Sequence, residues 1–318
     1  MADPVAARPA WSRDSMAVRL PEVTSLGDIS PAWAWGGATG AGVRVAIVDS
    51  GIEADHPALE GCVDVDDGVA IDVTPEGEVV ETPGPHGDLF GHGTACAGII
   101  HSLAPDARIT SIRVLGAGLT GRSETFVHGL ATAVRRRFDV INLSLGTRRR
   151  DWALPYYELC DEAYFRGCFV VTAANNLLRP TFPSLFSSVT SVASNLSSDP
   201  WRFHYNPEPP TEFLARGIDV EVAWKDGATI RSTGNSYAAP HIAGLAALIR
   251  SKHRAMTPSQ LKVVLAATAA NTTELPSAAG RITRSTRLGP TRRGTRASRV
   301  LRVHDAVPAE PVLDEAAR

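Results

Sequence analysis

From about residue 43 the chain alternates short β-branched apolar runs with longer stretches whose apolar positions recur at helical spacing. The runs VRVAIV ending at Val48, ARITSIRVL ending at Leu115, DVINLSL ending at Leu145 and CFVVTAA ending at Ala174 read as strands. Between them the pattern predicts helices opening near His92, over about 123–136 and over about 155–166, the last stopped by Gly167. Strands that are apolar throughout are covered on both faces. The expected fold class is therefore α/β, three αβα layers around a mostly parallel central sheet with right-handed crossovers. A later run, AAPHIAGLAALI, predicts a small-residue core helix over about 237–252. Another helix opens at Thr257-Pro258-Ser259-Gln260, with Thr as the cap, Pro at the first helical position and Gln closing a capping box.

With 318 residues, 44% of them hydrophobic and 21% charged, the composition is that of a soluble globular protein, and no linker or repeat divides it. The formal net charge of −2 points to neither a nucleic-acid nor a membrane partner. No apolar stretch is long enough to cross a bilayer, and the opening MADPVAARPAWSRD lacks a signal peptide's basic-then-apolar pattern, so a cytoplasmic location is expected. Cys62, Cys96, Cys160 and Cys168 have neither metal-ligand spacing nor the density of a disulfide framework. Free thiols agree with a reducing compartment, although an even count leaves disulfides open. Charge is uneven along the chain. Residues 45–107 contain no Lys or Arg but many acids, among them Asp64, Asp66, Asp67, Asp72 and Glu81, whereas 281–302 is rich in arginine, has no acid and reads as a loop.

Three short motifs bear on chemistry. Val48-Asp49-Ser50-Gly51 lies at a strand's carboxyl end, where open α/β sheets gather reactive groups, though alone it also reads as a turn. Gly91-His92-Gly93-Thr94 sits at a helix entrance. In Gly234-Asn235-Ser236-Tyr237-Ala238-Ala239-Pro240-His241, a proline four residues after Ser236 is tolerated only near a helix start. That puts Ser236 at the amino end of its helix, where the dipole and free N–H groups favour developing negative charge.

Aspartate, histidine and serine in that chain order, within these blocks, resemble the subtilisin-like serine peptidase (subtilase) family over about residues 25–309. The resemblance implies a subtilisin-like fold and a serine endopeptidase. Ser236 would attack the peptide carbonyl, His92 would shuttle the proton and Asp49 would orient the imidazolium. Asn176 aligns with the family's oxyanion-hole asparagine, with the Ser236 N–H as companion and Asn175 as the alternative. Ser144-Leu145-Gly146 matches the strand that pairs with substrate backbone. Gly118-Leu119-Thr120-Gly121 matches the facing segment, its alternative being a surface turn. Cys96 is placed like a cysteine found beneath the histidine in some branches, either an inert buried thiol or a target for mercurials.

About two dozen residues precede the match. The expected organisation is a 1–24 extension, a 25–309 peptidase domain carrying the 281–302 Arg-rich loop, and a 310–318 tail, an intracellular type without a large prodomain. Leu20-Pro21-Glu22-Val23 reads either as an inhibitory arm or as a disordered terminus. No cofactor and no metal are expected. The calcium loop of relatives is missing where His101-Ser102-Leu103 runs into Ala104-Pro105, Ala58 stands in place of a ligand carboxylate, and Asp64, Asp66 and Asp67 read as solvated surface acids. Asn235 and Tyr237 replace the usual threonine and methionine beside the nucleophile, and the 177–183 stretch is too short to inherit a side-chain preference. The expected partner is a peptide or protein substrate, a precursor among them. The acidic lobe suggests a basic one, unless it docks the Arg-rich loop. Two alternatives use the same residues: a ligase- or macrocyclase-like acyl transferase, and a silent peptide-binding pseudoenzyme.

Overall fold

The computed structural model describes residues 28–177 and 179–273. The 1–24 extension, the 281–302 loop and the 310–318 tail lie outside the described residues. Eleven strands occur: β1 (Arg44–Asp49), β2 (Val69–Val73), β3 (Val79–Pro83), β4 (Arg108–Arg113), β5 (Val140–Leu143), β6 (Phe169–Ala173), β7 (Thr190–Asn195), β8 (His204–Tyr205), β9 (Phe213–Arg216), β10 (Val220–Trp224) and β11 (Ala228–Ser232). The helices are α1 (Pro31–Trp35), α2 (His92–Leu103), α3 (Ser123–Arg135), α4 (Ala153–Phe165), α5 (Asn235–Lys252), α6 (Pro258–Thr268) and α7 (Ala270–Thr273).

Nine strands form one sheet in the order β3-β2-β4-β1-β5-β6-β7-β9-β8, with β10 and β11 as a separate antiparallel pair. The central pairings are parallel, and only β3 and β8 at the edges run antiparallel to their neighbours. The two-sided burial expected of apolar strands is met residue by residue. Val45 and Ile47 of β1 pack with α2 and α5, while Ala46 and Val48 pack with α3 and α4. Three layers result. Strand order reverses at β1, which has β4 on one side and β5 on the other, so the carboxyl end of β1 opens into the crevice of a topological switch point.

Strand β5 ends at Leu143 rather than Leu145, and two other boundaries differ from the sequence reading for local reasons. Strand β4 stops at Arg113 because the N–H groups of Val114 and Leu115 both turn to the carbonyl of Asp49, at 2.8 and 3.2 Å. Helix α5 begins at Asn235, so Ser236 is its second residue and Pro240 lies inside the helix rather than in its first turn. The capping box at α6 forms as expected, with Thr257 as N-cap and Gln260 answering it.

Helix α5 is almost wholly buried and carries His241, which is 2% exposed and whose Nδ1–H donates to the Tyr237 carbonyl at 2.8 Å. Burial pulls the His241 pKa down to about 4, outweighing that hydrogen bond. The unfolded chain takes up this proton near pH 6.5 and the native one only near 4, so stability is lost as pH falls between those values, by roughly 3 kcal/mol in all. His241→Leu removes the titration. Its unfolding free energy, followed by urea melts, is expected to fall less than that of the parent between pH 6.5 and 4.

Candidate active site

Asp49 ends β1 with no solvent exposure, and its carboxylate accepts the Ser50 N–H at 2.8 Å. His92 opens α2 at 4% exposure, its Nδ1 donating to Asp49 at 2.8 and 2.9 Å from the two oxygens. Two glycines permit the approach. A Cβ on Gly93 would stand 2.0 Å from the Gly51 carbonyl, so only glycine lets α2 start against the turn after β1. Gly51 itself adopts φ +109°, a left-handed conformation that suits residues without a side chain.

Burial alone would depress the His92 pKa, but the adjacent Asp49 carboxylate holds it well above 6.5. The Cys96 thiol beside it is fully buried and pushed up by desolvation, so it stays protonated and brings no charge. Its Sγ lies 4.0 Å from His92 Nδ1 and 3.7 Å from the Ser236 carbonyl, which places Ser236 next to the pair. The Tyr237 ring packs against the imidazole at 5.3 Å. Asp49, His92 and Cys96 also have donor atoms within 4.8 Å of one another, so a soft metal ion entering here would compete for the same imidazole.

Pro240 has no N–H to give the Ser236 carbonyl four residues back. That carbonyl is met instead by Ser144 Oγ at 3.2 Å and by the Cys96 thiol. Ser144 also accepts from Asn142 Nδ2 at 3.0 Å. Beyond Leu145 and Gly146, Thr147 makes a two-bond bridge with Phe182, at 2.9 and 2.8 Å. The Ser144–Leu145–Gly146 run is thus pinned at both ends, and Gly146 is exposed between them.

Asn176 is exposed, and its Oδ1 accepts the Asn235 N–H at 2.8 Å, leaving Nδ2 to donate outward. Asn176 and Ser236 Oγ both approach Gly234, lying 3.6 and 3.3 Å from where its Cβ would be. Asn175 turns elsewhere, its Oδ1 taking the Leu177 N–H at 2.9 Å. The segment containing Gly118, Leu119, Thr120 and Gly121 is drawn as an exposed turn, not an extended strand. The Gly116 N–H bonds the Thr120 carbonyl at 2.9 Å, and Leu119 sits at φ +53°.

Two residues that hold the site were given no such role from sequence. Asp88 accepts Ser50 Oγ, the Phe90 and Gly91 N–H groups, and both the N–H and hydroxyl of Thr94, at 2.7–2.9 Å. It ties the turn after Asp49 to the first turn of the His92 helix. An acid four residues before the histidine was the available signal. Asn235 takes the Ser194 N–H and donates to the carbonyls of Ala174 and Asn175, stapling the Asn176 loop to the start of α5.

The solvated-acid reading of Asp64 and Asp67 is corrected. Asp67 meets Arg44 at 3.0 Å and Arg136 at 3.5 Å, and Asp64 meets Arg108 at 3.5 Å. Asp72 and Glu81 meet Arg113 and Arg135, at 2.9 and 3.1 Å. These four acids of the 45–107 stretch are thus paired with arginines that flank it, which weakens the case for a basic substrate.

The three-layer sheet with these groups at its switch point is a subtilisin-type architecture. Residues 40–292 match the model of the subtilase family, and the chain belongs to that family. It is 31% identical over 248 residues to Subtilisin E of Bacillus subtilis (strain 168), covering 73% of this chain and 62% of that protein. Thermitase of Thermoactinomyces vulgaris is 33% identical over 244 residues, covering 70% of this chain and 79% of that one. Among solved structures, a cold adapted subtilisin-like serine proteinase aligns with TM-score 0.60 at 25% identity, over 72% of this chain and 83% of the other. A lanthipeptide protease aligns with TM-score 0.58 at 27% identity, over 70% and 78%.

Asp88→Ala strands four donors at the entrance of α2. Urea unfolding is expected to show a loss of about 2 kcal/mol, with Asp88→Asn recovering part of it. An unchanged midpoint would remove Asp88 as the tie between β1 and α2.

Proposed function

We propose that this chain is a serine endopeptidase, hydrolysing peptide bonds through an acyl-enzyme on Ser236. The observation that carries the reading is the buried Asp49–His92 pair at the switch point, with Ser236 beside it at the amino end of α5. In the proposed step His92 Nε2 takes the Ser236 Oγ proton as Oγ attacks the carbonyl and returns it to the leaving amine. Asp49 fixes the tautomer and stabilises the imidazolium. The oxyanion is met by Asn176 Nδ2 and by the Ser236 N–H in the first turn of α5, where the helix dipole adds positive potential. Water then deacylates the enzyme.

The pinned Ser144–Leu145–Gly146 run is the edge against which substrate backbone lies. Gly118, Leu119, Thr120 and Gly121 would join as the opposite side only after their turn opens. Similarity to a lanthipeptide protease favours a peptide precursor as substrate. A cytoplasmic setting is supported by four cysteines that are all buried and free. Among the described residues no helix is long and apolar enough to cross a membrane.

A fluorophosphonate probe is expected to label Ser236 covalently, and Ser236→Ala to abolish labelling. An unlabelled parent protein would leave a peptide-binding module in place of an enzyme. The imidazole must be neutral to act as base and its pKa is raised, so kcat/KM should climb with pH through a value above 6.5. Asp49→Asn should lower that limb and cost on the order of 10⁴-fold in kcat. Mercurials are expected to inhibit through Cys96, and unchanged sensitivity in Cys96→Ala would rule that route out.

A further inference from the structure

The arginines beside the 45–107 acids are paired, and Arg166 and Arg231 find Glu162 and Asp219 at 2.7 and 2.9 Å. Others are not. Arg122, Arg137, Arg148, Arg150 and Arg179 are exposed, and among the described residues none of their guanidinium groups has an ion pair or hydrogen bond. All but Arg137 lie in segments that come together at Thr147. Thr147 Oγ1 accepts from Ser123 Oγ at 2.8 Å, which brings in Arg122. Arg148 and Arg150 follow Thr147 directly. Its bridge to Phe182 brings in the segment that holds Arg179, three residues before. Thr147 is also the residue immediately after the Ser144–Gly146 edge.

We infer that the four unpaired arginines of these segments bind acidic side chains of the peptide substrate, a few residues from the scissile bond. The inference rests on the reading of Ser144–Gly146 as the substrate edge. Ser144 touches the Ser236 carbonyl and Arg148 is four residues further on. At about 3.3 Å per extended residue, the patch meets substrate roughly three to five positions from the reacting carbonyl. The counter-charge nearby is small. Asp151 pairs with Arg149 at 3.5 Å with both side chains mostly exposed, and Glu124 follows Arg122 by two residues. Screened surface charges of this kind select and steer more than they bind, so the effect belongs in KM and in its salt dependence.

The test uses the full chain and two fluorogenic peptides sharing one scissile sequence, flanked in one by Asp and Glu and in the other by Asn and Gln. The acidic peptide is expected to be preferred about tenfold in kcat/KM, through KM. The preference should collapse in about 0.5 M NaCl and in Arg148→Glu/Arg150→Glu, but persist in Arg135→Glu. A second arm titrates the labelled acidic peptide into Ser236→Ala by fluorescence anisotropy, with and without the Arg148 and Arg150 changes. Equal cleavage and equal binding of the two peptides overturn the inference. Arginine-dependent binding in a protein that neither cleaves nor takes the fluorophosphonate would sink the endopeptidase reading and leave the patch standing. A single-stranded oligonucleotide of equal charge that binds more tightly than the acidic peptide would make the patch a general polyanion site and overturn its assignment to substrate.

Discussion

The structure turns on one buried carboxylate. Asp49 is fully withdrawn from solvent at the end of a central strand, and a charge so placed costs several kcal/mol unless it is paired and hydrogen-bonded. The His92 imidazole and the Ser50 N–H supply those partners. They do so only if the amino end of α2 stands against the carboxyl end of β1, which Gly93 allows by having no side chain and Asp88 secures by bonding both elements. The requirement to satisfy Asp49 therefore fixes the angle at which α2 leaves the sheet. The same requirement raises the His92 pKa, so structural compensation and proton affinity are one interaction.

A second constraint joins α5 to this centre. Pro240 cannot donate to the Ser236 carbonyl, and in a buried helix an unmet carbonyl is costly. Ser144 and Cys96 fill the vacancy, one from the end of β5 and one from α2. A proline that weakens its own helix thereby binds three elements at the residue where the proposed chemistry occurs. Asn235 does the complementary work on the other side by tying the 174–176 loop to the first turn of α5. The threonine usual at that position in relatives has no amide with which to donate to two carbonyls while its oxygen accepts the Ser194 N–H.

The layers of the fold and the order of its motifs were legible because they depend on local pattern. Continuous apolar strands, a capping box and a proline after Ser236 each carry their meaning within a few residues. The 116–120 turn stayed open in the sequence because a glycine-rich run fits an extended segment and a tight turn alike, and the Gly116–Thr120 bond draws the turn here. The tying roles of Asp88 and Asn235 were not legible because their partners come from separate segments, and composition does not reveal which donors converge on one side chain. The acidic lobe misled for the same reason. Its neutralising arginines, Arg44, Arg108, Arg113, Arg135 and Arg136, all lie outside the stretch whose charge was counted.

That neutralisation matters more for the field than for stability. Most of these pairs have at least one side chain a third or more exposed, where each contributes about 0–1 kcal/mol. Pairing does, however, reduce the lobe's potential, which is screened further beyond a Debye length of about 8 Å. The potential at Ser236 is then set by short-range sources: the amino end of α5, the Asn176 amide and the Asp49–His92 pair. They are held by hydrogen bonds, so in the proposed mechanism they need little reorganisation as charge develops on the substrate carbonyl. A diffuse surface charge has no such geometry and cannot substitute for them.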